Sequence, residues 1–208
     1  MFAQNDTFFF ERDLVRQGFV LVAGVDEAGR GPLAGPVVAA SVILPPDCAY
    51  EQFKDSKKLT PRAREKLYAD LWEINAMIGV GIVSAARIDR INILQASLLA
   101  MRRATRLLPL RPDYLLVDGK FPVPITIPQQ ALIKGETRSA SIAAASIIAK
   151  VTRDELMQKL HLKFPVYNFH KHKGYPTVMH RRAIRNHGPC EIHRKTFKGV
   201  REYISRES

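Results

Sequence analysis

The stretch that decides the fold is Val20-Leu21-Val22-Ala23-Gly24-Val25-Asp26-Glu27-Ala28, followed directly by Gly29-Arg30-Gly31-Pro32-Leu33-Ala34-Gly35 and then by Pro36-Val37-Val38-Ala39-Ala40-Ser41-Val42-Ile43-Leu44. Each flanking run is short, apolar and rich in β-branched residues, which reads as a buried strand. The Gly- and Pro-rich segment between them reads as a tight turn, so residues 20–28 and 36–44 are expected to pair as a hairpin. The first strand ends in two carboxylates, Asp26 and Glu27.

Outward from this hairpin, Thr60 is placed to N-cap a helix with Pro61 at its first position, running to about Asn75. Residues 78–85 read as a third strand. Ile88, Ile91, Leu94, Leu98, Met101 and Leu108 recur at helical spacing, which predicts one long amphipathic helix over 88–108, ended by Pro109 and Pro112. Tyr114 to Val117 form a short apolar strand delivering Asp118, and residues 129–133 form another, leading to Lys134-Gly135-Glu136. A helix is predicted over 139–160, where Ser-Ile-Ala-Ala-Ala-Ser-Ile-Ile-Ala is small and apolar enough to pack closely on a sheet. Short helices are expected at 176–187 and 196–205. Strands first, then strands alternating with helices, predict an α/β fold: a mixed β-sheet flanked by helices, with a C-terminal helical lobe. The expected organisation is one domain over 1–208, with a catalytic core at about 18–160 and a basic lobe at about 161–208.

Composition sets further bounds. The 208 residues carry a net charge of +12, which favours a polyanionic partner. The charge is uneven: residues 150–208 hold 14 Lys and Arg against 5 Asp and Glu, whereas residues 1–149 hold 18 against 15. Two distant cysteines, Cys48 and Cys190, argue against a disulfide scaffold and fit a reducing compartment, so the expected location is the cytoplasm. No apolar run approaches the roughly 20 residues that span a bilayer, and residues 1–16 lack the marks of a signal peptide.

Asp26, Glu27, Asp118 and Glu136 each follow an apolar strand. If those strands are neighbours, four carboxylates meet at one sheet end, where they repel and raise one another's pKa. Hard divalent cations bound by oxygen would relieve this, and two such ions support phosphodiester hydrolysis. Taken singly, each acid is better explained as a turn or helix-cap residue, Glu136 above all, since it precedes a helix. The Gly29-Arg30-Gly31 loop offers close backbone approach and a guanidinium for phosphate, although a simple hairpin turn would use the same glycines. His170-x-His172 and Cys190-x-x-His193 have zinc-like spacing. With no CxxC present, polar packing is the better account.

Gly24 to Ala40 closely resembles the opening signature of bacterial ribonuclease HII. The resemblance continues through Asp55-Ser56-Lys57-Lys58-Leu59, Val117-Asp118-Gly119, Lys134-Gly135-Glu136, Ser141 to Asp154, His172-Lys173-Gly174-Tyr175-Pro176-Thr177 and Gly188 to Arg194. It implies a ribonuclease H-like fold. It also implies an endonuclease that cuts the RNA strand of RNA–DNA hybrids and cuts duplex DNA at single embedded ribonucleotides, on the 5′ side, leaving 5′-phosphate and 3′-hydroxyl ends. The family's carboxylates match Asp26, Glu27, Asp118 and Glu136, and two Mg2+ or Mn2+ ions are the implied cofactors. Gly29, Arg30, Gly31 and Tyr175 match its substrate residues, and Lys57 is a candidate phosphate contact. The family usually has Asp at the place of Glu136. Tyr175 is expected to hydrogen-bond the 2′-hydroxyl and stack on the next sugar, the 2′-hydroxyl being what separates RNA from DNA. Lys171, Lys173, Arg181, Arg182 and Arg185 are candidates for tracking the phosphate backbone. The expected partners are RNA–DNA hybrid and ribonucleotide-containing duplex DNA, bound by a monomer away from any membrane. Competing readings are a DNA junction resolvase or transposase core of the same superfold, and a non-catalytic hybrid-binding protein. Ribonuclease HIII carries an extra N-terminal domain, for which about 20 residues before the first strand leave no room.

Overall fold

The computed structural model describes residues 6–53 and 59–204. Five strands form one sheet: β1 (Val22–Ala28), β2 (Val37–Ile43), β3 (Met77–Val83), β4 (Tyr114–Asp118) and β5 (Gln129–Leu132), in the order β3-β2-β1-β4-β5. β2 pairs antiparallel with both β1 and β3, so the expected hairpin is present. β4 lies parallel to β1, and β5 parallel to β4. The sheet is therefore mixed, and its three parallel strands all end at the same edge.

Six helices accompany it among the described residues: α1 (Phe9–Arg16), α2 (Pro61–Glu73), α3 (Ala85–Arg106), α4 (Ala140–Lys163), α5 (Phe169–His172) and α6 (Val178–His187). α3 covers one face of the sheet, where Ala23, Val25, Leu115 and Val117 meet Ala96, Ala100 and Ala104. α4 covers the other with α2, packing Ala143, Ala144, Ile147 and Ile148 against Ala40 and Val42. Successive residues of β1 and β4 face opposite helices, as the period of a strand requires. Full burial of each large aliphatic side chain contributes about 1.5–3 kcal/mol.

Both helix layers sit unusually close to the sheet, and glycine is the reason. A Cβ on Gly24 of β1 would lie 2.0 Å from the carbonyl carbon of Ser141, so only hydrogen lets α4 lie on that strand. On the other face, a Cβ on Gly81 would lie 2.0 Å from the Ala100 oxygen.

Several expectations need correction. The connection between β1 and β2 is not a tight turn. It is an ordered loop, residues 29–36, threaded between segments of the C-terminal region: Leu33 N–H donates to Gly174 O, Gly35 N–H to Ile192 O and Arg194 N–H to Leu33 O, each at 2.8 Å. α3 starts at Ala85, N-capped by Ser84, and breaks at Asn92, whose φ is 61°. The Asn92 side chain then caps the second segment by accepting from Gln95 N–H at 3.1 Å. Apolar spacing carries no mark of such a break, because polar capping sets it. The helix expected over 196–205 is reduced to a 3-10 turn at Arg201–Tyr203. α1 was not anticipated. It is anchored by its buried Glu11, whose Oε1 accepts from Ser139 Oγ and Ser141 Oγ at 2.6 Å and from Ser141 N–H at 3.0 Å at the start of α4.

Candidate active site

The register of the parallel strands assembles the acids. Val25 pairs with Val117 and Asp118 with Leu132, so Asp26 and Asp118 stand side by side at the carboxyl ends of β1 and β4. After β5 the chain turns sharply: Lys134 has φ 55° and Gly135 opens a 3-10 turn, Gly135–Thr137, that leads into the Ser139 cap of α4. Gly135 N–H donates to Asp118 Oδ1 at 2.7 Å, and a Cβ at Gly135 would lie 2.6 Å from Ile142 Cδ1. Glycine thus permits the turn that sets Gly135 against Asp118, with the buried Glu136 next in the chain.

Asp26 is buried, and its carboxyl is held well above the usual range. Desolvation is the main cause, followed by the negative charges of Glu27 and Asp118. Hydrogen bonds from Ser146 and from the Glu27 amide oppose them. The Glu27 amide donates to Asp26 Oδ1 at 2.7 Å, and Arg30 Nη1 donates to Glu27 Oε1 at 3.1 Å. Among the described residues, no three His, Cys, Asp or Glu side chains form a ready-made metal cage. Each of these three carboxylates instead rests on a local donor. An all-oxygen set whose charges already raise the pKa of Asp26 has the chemistry that hard divalent cations take. The residues present fit such ions.

Beside the acids lies an open cleft of about 410 Å³, with Glu27, Arg30, Gly31, Arg64, Lys150 and Tyr175 on its walls. Arg30 is exposed, and so is Tyr175 at 42%. Gly31 faces Tyr175 directly, since a Cβ there would sit 3.6 Å from the ring. A larger cavity of about 750 Å³ lies under α1 at the opposite edge of the sheet; its walls are mostly apolar and include none of the four acids.

Two buried arginines fix the loop that carries Gly29, Arg30 and Gly31. Arg194 donates to the carbonyls of Gly29, Arg30 (2.9 Å) and Gly35 (3.1 Å). Arg153 donates to Pro36 O at 3.0 Å, Ala34 O at 3.2 Å and Lys173 O at 3.0 Å. Its guanidinium also lies 5.9 Å from the centre of the Tyr175 ring. Neither arginine forms an ion pair among the described residues. Backbone carbonyls solvate both charges. Burial, reinforced by Arg153, pulls Arg194 down to about 9.

The structure therefore brings together Asp26, Glu27 and Asp118, with Gly29, Arg30, Gly31 and Tyr175 on the adjoining cleft, and places Glu136 directly after Gly135, whose N–H donates to Asp118. Lys57 lies outside the described residues. Lys173 is turned inward, donating to His170 O at 2.6 Å, and is not an open phosphate contact. Sequence reasoning gave no role to Arg153, Arg194 or Ser146. Nothing in their local sequence tells a buried arginine from a surface one.

A family model described as ribonuclease HII matches residues 23–200. The ribonuclease HII of Desulfotalea psychrophila is 58% identical over 203 residues, covering 96% of this chain and 90% of that one. That of Syntrophotalea carbinolica is 54% identical over 196 residues, covering 94% of each. Among solved structures, the ribonuclease H2 of Pyrococcus horikoshii superposes with a TM-score of 0.73 at 29% identity, covering 88% of this chain and 97% of that one.

Proposed function

The chain belongs to the ribonuclease HII family and is a metal-dependent endoribonuclease of the ribonuclease H type, and we propose that Asp26, Glu27, Asp118 and Glu136 are its metal ligands and catalytic acids. Its substrates on this reading are the RNA strand of RNA–DNA hybrids and single ribonucleotides embedded in duplex DNA. Cleavage falls on the 5′ side of the ribonucleotide and leaves 5′-phosphate and 3′-hydroxyl ends. The observation that carries the reading is the Asp26 carboxyl, pushed up by its burial and then by Glu27 and Asp118, next to a cleft where Gly31 faces Tyr175.

A pair of Mg2+ or Mn2+ ions, when held there, supplies Lewis acidity for water activation and for the leaving oxygen. Asp26 and Asp118 are central to the set, with Glu27 and Glu136 on either side. A bound cation would favour the ionised form of Asp26, against the upward pull of its burial and of the charges on Glu27 and Asp118. Glu136 is one methylene longer than the family's usual Asp and reaches the same edge from a 3-10 turn. Arg30 and the backbone of Gly29 to Gly31 grip the phosphate and sugar at the cut. Tyr175 reads the 2′-hydroxyl and stacks on the following sugar. Arg181, Arg182 and Arg185 of α6 hold the duplex, with residues 161–208 acting as the basic lobe of one domain whose core is about 18–160.

No helix among the described residues is long and apolar enough to cross a membrane. We place the enzyme in the cytoplasm as a monomer. The test is cleavage of a duplex with one embedded ribonucleotide, with the cut mapped, beside a four-way DNA junction. Asp26→Asn should abolish turnover while hybrid binding remains detectable. Cleavage by that variant, or cleavage of the junction in preference, would overturn the assignment.

A further inference from the structure

Three buried histidines lie behind Tyr175, and the mechanism above uses none of them. His172 is 9% exposed, His180 0% and His193 1%. They come from α5, from α6 and from the segment after α6. Their hydrogen bonds fix every ring proton, because backbone groups at the ends of the chain act in one direction only. His193 Nδ1 accepts from the Cys190 amide at 2.9 Å, so its proton sits on Nε2. His180 Nδ1 lies 3.0 Å from Tyr175 O, which only accepts, so His180 carries its proton on Nδ1. The two Nε2 atoms are 3.0 Å apart, and His193 must donate to His180. His172 is fixed in the same way. Its Nδ1 accepts from Gly174 N–H at 3.2 Å and its Nε2 donates to Tyr167 O at 2.7 Å.

All three rings are therefore neutral, and their two nitrogens are matched. The His172 and His180 rings stack with centroids 4.4 Å apart. Burial pulls His180 and His193 down to about 4, consistent with neutral rings. Two separate hydrogen-bond chains, one through His172 and one from Cys190 through His193 and His180, converge on one short segment: His172 holds Gly174 N–H, and His180 holds Tyr175 O. That segment is also where Gly174 O accepts from Leu33 of the 29–36 loop.

We propose that His172, His180 and His193 are positioning residues for ribonucleotide recognition, a neutral relay of fixed proton direction that holds the Gly174–Tyr175 backbone so that the Tyr175 ring stands over Gly31. The proposal rests on Tyr175 reading the ribonucleotide. Packing alone would need the shape of these rings but not their proton pattern.

The experiment compares two substrates, a duplex with one ribonucleotide and an all-RNA hybrid, using the full chain with Mn2+ and reading kcat and KM separately. His180→Asn keeps an amide donor at the Nδ1 position, facing Tyr175 O. His180→Gln moves the amide to the Nε2 position and loses that donor. A second pair works at the other end, since His172→Asn can still accept from Gly174 N–H and His172→Gln cannot. The expected result is that each Gln variant raises KM for the single-ribonucleotide duplex and lowers the preference for it about tenfold, a cost typical of slight misplacement. Each Asn variant should recover most of the preference. In a Tyr175→Ala background, His180→Gln should leave the remaining preference unchanged. Equal behaviour of Asn and Gln variants, or a further change in the Tyr175→Ala background, would overturn the relay while leaving the Tyr175 reading intact. If Tyr175→Ala alone leaves the preference unchanged, the Tyr175 reading itself fails, and the relay's proposed role fails with it.

Discussion

Arg194 offers the sharpest test of how the substrate loop is held. Arg194→Met keeps an unbranched side chain of similar reach and removes every donor. The carbonyls of Gly29, Arg30 and Gly35 then lose Arg194, whereas Pro36 O keeps its 3.0 Å bond from Arg153. An orphaned buried acceptor costs about 1–3 kcal/mol, so three carbonyls set a gross loss of about 3–9 kcal/mol. Two effects oppose it: a fully buried cation is no longer desolvated, and Arg153 loses a like-charged neighbour. The net expectation is destabilisation by about 3 kcal/mol, seen in urea unfolding as a lower midpoint at unchanged slope. Arg194→Lys should recover little, because one ammonium cannot span carbonyls arranged for a planar fork. In cleavage assays both variants should raise KM for the single-ribonucleotide duplex. A loss below about 1 kcal/mol together with unchanged KM would refute the claim that buried guanidiniums set the loop's shape.

Gly24→Ala forces a methyl into the α4 backbone, 2.0 Å from Ser141 C, and should cost about 3 kcal/mol or more in unfolding free energy. Gly31→Ala, whose methyl would meet the Tyr175 ring at an ordinary 3.6 Å, should leave stability nearly unchanged in the same measurement and impair cleavage instead. Acid should weaken the fold through His180 and His193. Their folded values near 4 lie below the ordinary 6.5, so the unfolded chain takes up protons that the folded one refuses, and stability falls as pH drops below about 6.5. Between about pH 7 and 5.5 the pair should lose about 2 kcal/mol. The raised Asp26 and Glu11 act in the opposite sense, gaining stability as pH falls. The clean readout is therefore the difference between the wild type and a His180→Gln/His193→Gln variant, and parallel pH curves would refute this reasoning.

The sheet was legible in the sequence because its central strands, β1, β2 and β4, are largely buried on both faces and the chain between strands is punctuated by Gly and Pro. The acids were legible by recurrence: one carboxylate after an apolar strand is an ordinary turn or cap residue, but three strand ends that carry acids in a basic protein are not. Asn92 was not legible, since a capped break leaves the apolar positions on one face. α1 was hidden because its key contact is polar, Glu11 on the serines that open α4. The loop's architecture was hidden most deeply. Arg153 and Arg194 carry charge in a basic segment, 150–208, with no partner legible for them in the sequence, while His193 read only as polar packing. They are among the most buried polar groups in the molecule. Position in the fold, not composition, decides whether such a residue faces a phosphate or a carbonyl.

The span between Gly29 and Arg194 has a temporal consequence. The two are 165 residues apart in sequence and in direct contact in space. At synthesis rates of about 5–20 residues per second, the strands that bear Asp26 and Asp118 leave the ribosome well before Arg194 is added, and Gly29 waits roughly 10–30 s for its partner. Contacts of such separation also close late in folding, because their loop entropy is lost before they return any stabilisation. Asp26 and Asp118 can come together early, but the 29–36 loop takes its final shape late. Until the segment that carries Arg194 has been made, the 29–36 loop lacks the donors that fix its shape.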